Sequence, residues 1–276
     1  MLDSILGKGE WADLKDFLTP TVFDVLPPRA AQRQVTELLA ARLHPKEARR
    51  AREGLAVRGI RVAEDRAPGP ERAEGLDAAT RARRGQRVLT LYFHQLLHHD
   101  VALLDLRADR FREHGAREHG AREDGAREDG AREDGAREDG ATSVWRPGWL
   151  YVRWDAAFLA ALRDLYAGYY LGDAARFDAA IARLSLEPAR DVFLSHFGGG
   201  DQREVRFERA TFVHTFHDAF LACRDAPPGP GGAPRPPLHG NFLALGLYLA
   251  TLYEHLERLG LAFDVRAAYT AAGADR

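Results

Sequence analysis

The chain has 276 residues, enough for one large or two small domains with a sizeable buried core. Its formal net charge of −2 supplies no global field that would draw it to nucleic acid or to an anionic membrane, and no stretch approaches the ~20 apolar residues of a membrane span. The single cysteine, Cys223, excludes an internal disulfide and a cysteine-based zinc site.

The basic residues are almost all arginine, with lysine only at Lys8, Lys15 and Lys46. Together with abundant Ala, Gly and Pro this reads as the bacterial-like product of a GC-rich coding bias. Arginine number is therefore no argument for phosphate binding. The segment MLDSILGKGEWADLK lacks a basic stretch followed by a long apolar one, so a cytoplasmic location is expected.

Taken in chain order, residues 8–26 hold a short amphipathic helix followed by Pro-bounded irregular structure. From Arg29 to about Gly59 the pattern predicts two helices broken at Pro45, and 60–76, with APGPERAEG, reads as a surface loop. Residues 1–76 thus form a peripheral N-terminal part. A strong helix is expected from Asp77, a good N-cap, to His99. VALLDLRADRFR and SVWRPGWLYVRW, the latter around an Arg146-Pro147-Gly148 turn signal, read as short strands. Helices then follow at 155–171, 173–184, 187–197, 207–223, 241–259 and 263–272, with a Pro/Gly linker at 226–237. The expected fold is mainly α: a bundle-like core over 77–276 with a two-stranded β-hairpin.

The loop of that hairpin carries GARED, written four times between Gly120 and Asp139. A five-residue period never aligns its alanines into an apolar stripe, and each glycine costs about 1 kcal/mol relative to alanine in a helix. The segment at 113–141 is therefore expected as a disordered low-complexity insertion, tolerated because each doubling of loop length costs only about 0.6 kcal/mol. An acidic lure for a basic partner is the competing reading.

Histidines carry most of the candidate chemistry. His94 and His98 lie four apart on the 77–99 helix, a spacing that lets two imidazoles share a metal. Both project outside the apolar arc of Val88, Leu89, Tyr92, Phe93, Leu96 and Leu97, which predicts a solvated pair, whereas His99 falls within it. On the 207–223 helix, His217 falls inside the arc of Phe212, Val213, Phe216, Phe220 and Leu221, with His214 and Asp218 flanking it. The plainer reading is a hydrogen-bonded core histidine. The functional reading joins His214, His217 and Asp218 into a metal site between helices. No Glu-x-x-His pair occurs, which argues against a carboxylate-bridged di-iron bundle.

Gly198–Gly200, followed by Asp201, Gln202 and Arg203, lacks both the GK[ST] ending of a P-loop and dinucleotide spacing, so a helix stop explains it as well. Asn241 reads as an N-cap for the 241–259 helix. The first two turns of that helix are apolar on both sides, as expected of a segment buried all round or covered by a partner, and Gly246 would permit close helix approach. Aromatic residues gather where the hairpin must lean on the bundle. There Trp145, Trp149, Arg153 and Trp154, with Arg146 beside them, form the expected ligand- or partner-binding seam, and the aromatic density equally suits plain packing of the hairpin on the bundle.

GxSxG, HExxH and kinase motifs are all lacking. The sequence therefore reads as a non-enzymatic cytoplasmic helical binding or scaffold protein, taking a protein partner or a small ligand, with neither nucleic acid nor membrane implied and a homo-oligomer compatible. It specifies no cofactor. The alternative is a metal- or cofactor-dependent helical-bundle enzyme using His214, His217 and Asp218.

Overall fold

The computed structural model describes residues 26–63, 75–114, 142–196 and 204–273. The helix expected within 8–26, the GARED repeat, the Gly198–Gly200 loop and Asp201–Arg203 all lie outside them. Within the described residues the chain is mainly helical, with small β-sheets. None of these helices is long and apolar enough to cross a membrane.

The first two helices, α1 (Pro28–Ala40) and α2 (Pro45–Glu53), each open on a proline, where a missing N–H leaves no hydrogen bond unmade. The predicted surface loop at 60–76 needs correction, because Ile60–Val62 forms a strand, β1. Gly59, at φ +76°, turns the chain into it, and Ile60 N–H donates to Val57 O at 3.0 Å. Three residues of alternating character are too short to stand out as a strand in sequence.

Helix α3 (Ala78–His98) starts where expected, with Thr80 N–H donating to the Asp77 carboxylate at 2.7 Å. Beyond it come β2 (Val101–Leu103), β3 (Phe111–His114), β4 (Thr142–Trp145) and β5 (Tyr151–Arg153). They nest: β2 pairs antiparallel with β5 in the register Val101↔Arg153, and β3 with β4 from Phe111↔Trp145 to His114↔Thr142. The result is one long hairpin interrupted midway by 104–110 on one arm and 146–150 on the other. It is not two-stranded throughout, since β1 runs parallel to β4 and makes a three-stranded sheet in the order β1-β4-β3.

The remaining elements are α4 (Ala156–Leu171), α5 (Ala174–Arg183), α6 (Arg190–His196), β6 (Glu204–Arg206), α7 (Arg209–Arg224), α8 (Asn241–Leu259), β7 (Ala262–Asp264) and α9 (Val265–Gly273). The β6–β7 ladder was not foreseen. Asp155 caps α4, accepting from Ala157 N–H and Phe158 N–H at 3.0 Å each. A methyl on Gly168 would stand 2.5 Å from Phe177 N, so α4 and α5 meet backbone to backbone there. That is where close helix approach occurs. At Gly246 an added methyl would meet only Phe216 at 3.6 Å, an ordinary contact.

One core cluster runs from Leu26, Val35 and Leu38 to Ala268 and Ala272. Helix α8 passes through its centre, and its first two turns are buried on all sides except for Gly246. The solvated reading of His94 is overturned. It is only 8% exposed, because α9 lies along that face of α3, and the His98 ring packs 4.7 Å from it. His98 Nε2 bonds to Ala272 O of α9 at 2.7 Å, and His99 is half-buried with its ring 5.4 Å from that of His94. A helical projection records the apolar arc of α3 alone; the small alanines of α9 close the other side.

Candidate functional site

A cavity of about 640 Å³ lies where the end of the hairpin meets the helices. It is walled by α1, the end of β5 with Trp154 and Asp155, and the start of α8. Three elements far apart in sequence meet here because Asn241, the first residue of α8, bonds to both of the others. Its Oδ1 accepts from Asp155 N–H at 2.9 Å, and its Nδ2 donates to Gln34 Oε1 at 2.7 Å. Asn241 is thus a bridge and not the predicted cap, a position taken by Gly240.

These bonds fix which way both amides point. A backbone N–H can only donate, so Asn241 must turn its oxygen to Asp155. Its nitrogen then faces Gln34, which must answer with Oε1. Among the described residues Gln34 Nε2 is left with no acceptor, and so is Trp154 Nε1. Each of these residues is 4% exposed and each lines the cavity. A buried donor without a partner costs about 1–3 kcal/mol, so two on the walls of one cavity ask for an acceptor.

His239 adds a third donor. Its Nδ1 accepts from Asn241 N–H at 3.2 Å, which places the ring proton of the neutral form on Nε2. The ring stacks on Phe158 with centroids 5.2 Å apart. Burial holds its pKa below the ordinary histidine value, opposed by Asp155 and assisted by Arg33. Arg153 stands at the rim with its side chain 57% exposed, donating to Glu47 at 2.7 Å and to Asp100 at 2.9 Å. The cavity thus offers N–H donors, the guanidinium groups of Arg33 and Arg153, the carboxylates of Glu37, Glu47 and Asp155, and an apolar surface from Leu38, Tyr151 and the Trp154 ring.

Of the four residues predicted for this seam, Arg153 and Trp154 line the cavity and Trp145 and Trp149 do not. Trp145 is 0% exposed, stacked 5.8 Å from Phe111, with its indole N–H donating to Asp105 O at 2.9 Å. It belongs to the core of the hairpin. Trp149 is half-buried against the same core, and Arg146 is also half-buried. Sequence reasoning missed Gln34, His239 and the bridging role of Asn241, since only the fold brings them together.

The predicted metal residues sit on α7. His214 Nε2 lies 3.4 Å from Asp218 Oδ2, with the two side chains 79% and 42% exposed. His217 is half-buried. Among the described residues no group of three His, Cys, Asp or Glu side chains is placed to hold a metal ion.

A second polar cluster surrounds the interruption at 104–110. Asp105, with its side chain 1% exposed, accepts from Arg107 Nε and Nη2 at 2.8 Å and from Arg110 Nε at 2.9 Å. Helix α8 satisfies the looped backbone: Thr251 Oγ1 donates to Leu104 O at 2.6 Å, His255 Nδ1 to Leu106 O at 2.7 Å, and Glu254 accepts from Ala108 N–H at 3.0 Å. Arg84 of α3 completes it, donating to His255 Nε2 at 3.1 Å and to the carbonyls of Ala108 and Phe111. Burial and the Arg84 charge hold His255 well below its ordinary pKa, and burial pushes Glu254 up. These bonds lock the hairpin onto the bundle.

No known family model matches the chain, and no curated protein matches it.

Proposed function

We propose that this chain is a non-enzymatic cytoplasmic binding protein that holds a small ligand in the seam cavity. The single observation that carries this reading is the pair of unpartnered donors, Gln34 Nε2 and Trp154 Nε1, on two walls of one cavity. A ligand presenting carbonyl, carboxylate or hydroxyl oxygens supplies the acceptors these groups lack, and Arg153 meets it at the rim. The main helical domain begins at residue 77, and α1 of the segment before it contributes one wall of the cavity.

The test is to purify the full chain from its native host and profile co-purifying small molecules by mass spectrometry, beside Arg153→Ala and Trp154→Phe variants. A compound retained by the wild type and lost from both variants is the expected result. Identical profiles from all three proteins sink the proposal.

A further inference from the structure

A second cavity, of about 100 Å³, lies between α3, α4, α7, α8 and the start of α9. Its lining is almost wholly aromatic and aliphatic, with Phe93, Tyr166, Tyr170, Phe216 and Tyr253 prominent, and Arg266 is the one ionised side chain among the lining residues. We propose that it binds a single-ring aromatic carboxylate, ring inward and carboxylate on Arg266. The proposal is independent of the seam reading.

Size sets the class of ligand. Apolar cavities of roughly 150 Å³ take up benzene, so a space of about 100 Å³ admits one ring with slight relaxation and excludes larger ring systems. The walls favour an aromatic occupant. Phe93 already sits edge-on to Tyr166 at 5.5 Å and 85° and to Tyr170 at 5.6 Å and 83°, the geometry in which a further ring gains most from its neighbours. The tyrosine hydroxyls do not oppose an anion. Tyr92 and Tyr166 bond to each other at 2.7 Å, and burial pushes the Tyr166 hydroxyl up to about 12, so the lining carries no negative charge.

Arg266 decides the polarity of the ligand. It is exposed in the first turn of α9 and has no ion pair or side-chain hydrogen bond among the described residues. A guanidinium with no partner among the described residues, at the edge of a ring-lined cavity, is matched by a carboxylate fixed to a ring. Access is from the α7 side, where the lining residues Thr215 and Phe216 are only half-buried.

The test uses phenylacetate as probe and isothermal calorimetry on the full chain. Phenylacetate should bind the wild type saturably, and Arg266→Gln should weaken it roughly tenfold, as for the loss of one charge-assisted contact. Phenylacetamide should bind both proteins alike. Benzene should compete with phenylacetate, which places the ring inside without recourse to a core variant. The proposal is overturned if phenylacetate does not bind saturably, if Arg266→Gln leaves its affinity unchanged, or if saturating benzene fails to displace it.

Discussion

The two ends of α8 meet buried polar groups of opposite kinds. At its far end, Thr251, Glu254 and His255 bond to a looped backbone that would otherwise be stranded in the core. At its near end, Asn241 ties α1 to α4, and the tie leaves Gln34 Nε2 with no acceptor, beside an indole N–H in the same state. Burial of polar side chains therefore does not by itself mark a site. The far end directs its polar groups at the backbone of the hairpin; at the near end two donors, Gln34 Nε2 and Trp154 Nε1, face one cavity.

The contrast can be broken most forcefully at the far end. Asp105→Ala leaves the buried guanidinium of Arg107 without its counter-charge, and the cost should be about 3–5 kcal/mol in denaturant unfolding. A loss under about 1 kcal/mol would mean that the cluster does not lock the hairpin.

Paired tryptophan substitutions sharpen the comparison. Trp145→Phe removes a bonded indole and strands Asp105 O, whereas Trp154→Phe removes an indole with no acceptor among the described residues. Both lose similar volume, so Trp145→Phe should be the more destabilising by about 1–3 kcal/mol. Equal losses would show that the Trp154 N–H has a partner.

Acidification provides a smaller effect of defined sign. His255 is held well below the ordinary histidine value of about 6.5, so the unfolded chain takes up a proton there that the folded chain refuses. Stability should fall as pH drops below about 6.5, by at most about 1.4 kcal/mol per pH unit for this one group. His99 and His239, also held low, act in the same direction. Glu254, pushed up by burial, acts oppositely above about 4.5, where its ionisation costs the folded state. The His255 share is therefore the difference in slope between wild type and His255→Asn from pH 7 to 5. Parallel slopes would contradict the assignment.

The smallest effect on stability belongs to the rim. Arg153 pairs with Glu47 and Asp100 in solvent, so Arg153→Ala should cost less than about 1 kcal/mol while abolishing ligand retention. A large loss of stability would make Arg153 a structural residue.

Much of the architecture was legible in the sequence because its signals are local. Asp77 and Asp155 cap the helices they precede, Pro45 breaks the N-terminal pair, and the aromatic runs around Arg146-Pro147-Gly148 form strands. The readings that failed depend on distant chain. His94 was placed in solvent because nothing in α3 announces that α9 covers it. The strand at Ile60–Val62 exists because β4 is beside it. Of the residues that line the cavity, Arg153 and Trp154 stand out in the sequence by their chemistry, whereas Gln34 and Asn241 lie 207 positions apart and neither carries a local signal for the other.

The most direct test of the central claim is the pair of indole N–H resonances of Trp145 and Trp154, assigned by Trp→Phe substitution in the ¹⁵N-labelled full chain. Trp145 donates to a carbonyl and its proton should resonate downfield; Trp154, with no acceptor among the described residues, should resonate upfield of it and move downfield when the seam ligand is added. A Trp154 proton already as far downfield as that of Trp145, and unmoved by ligand, would contradict the account.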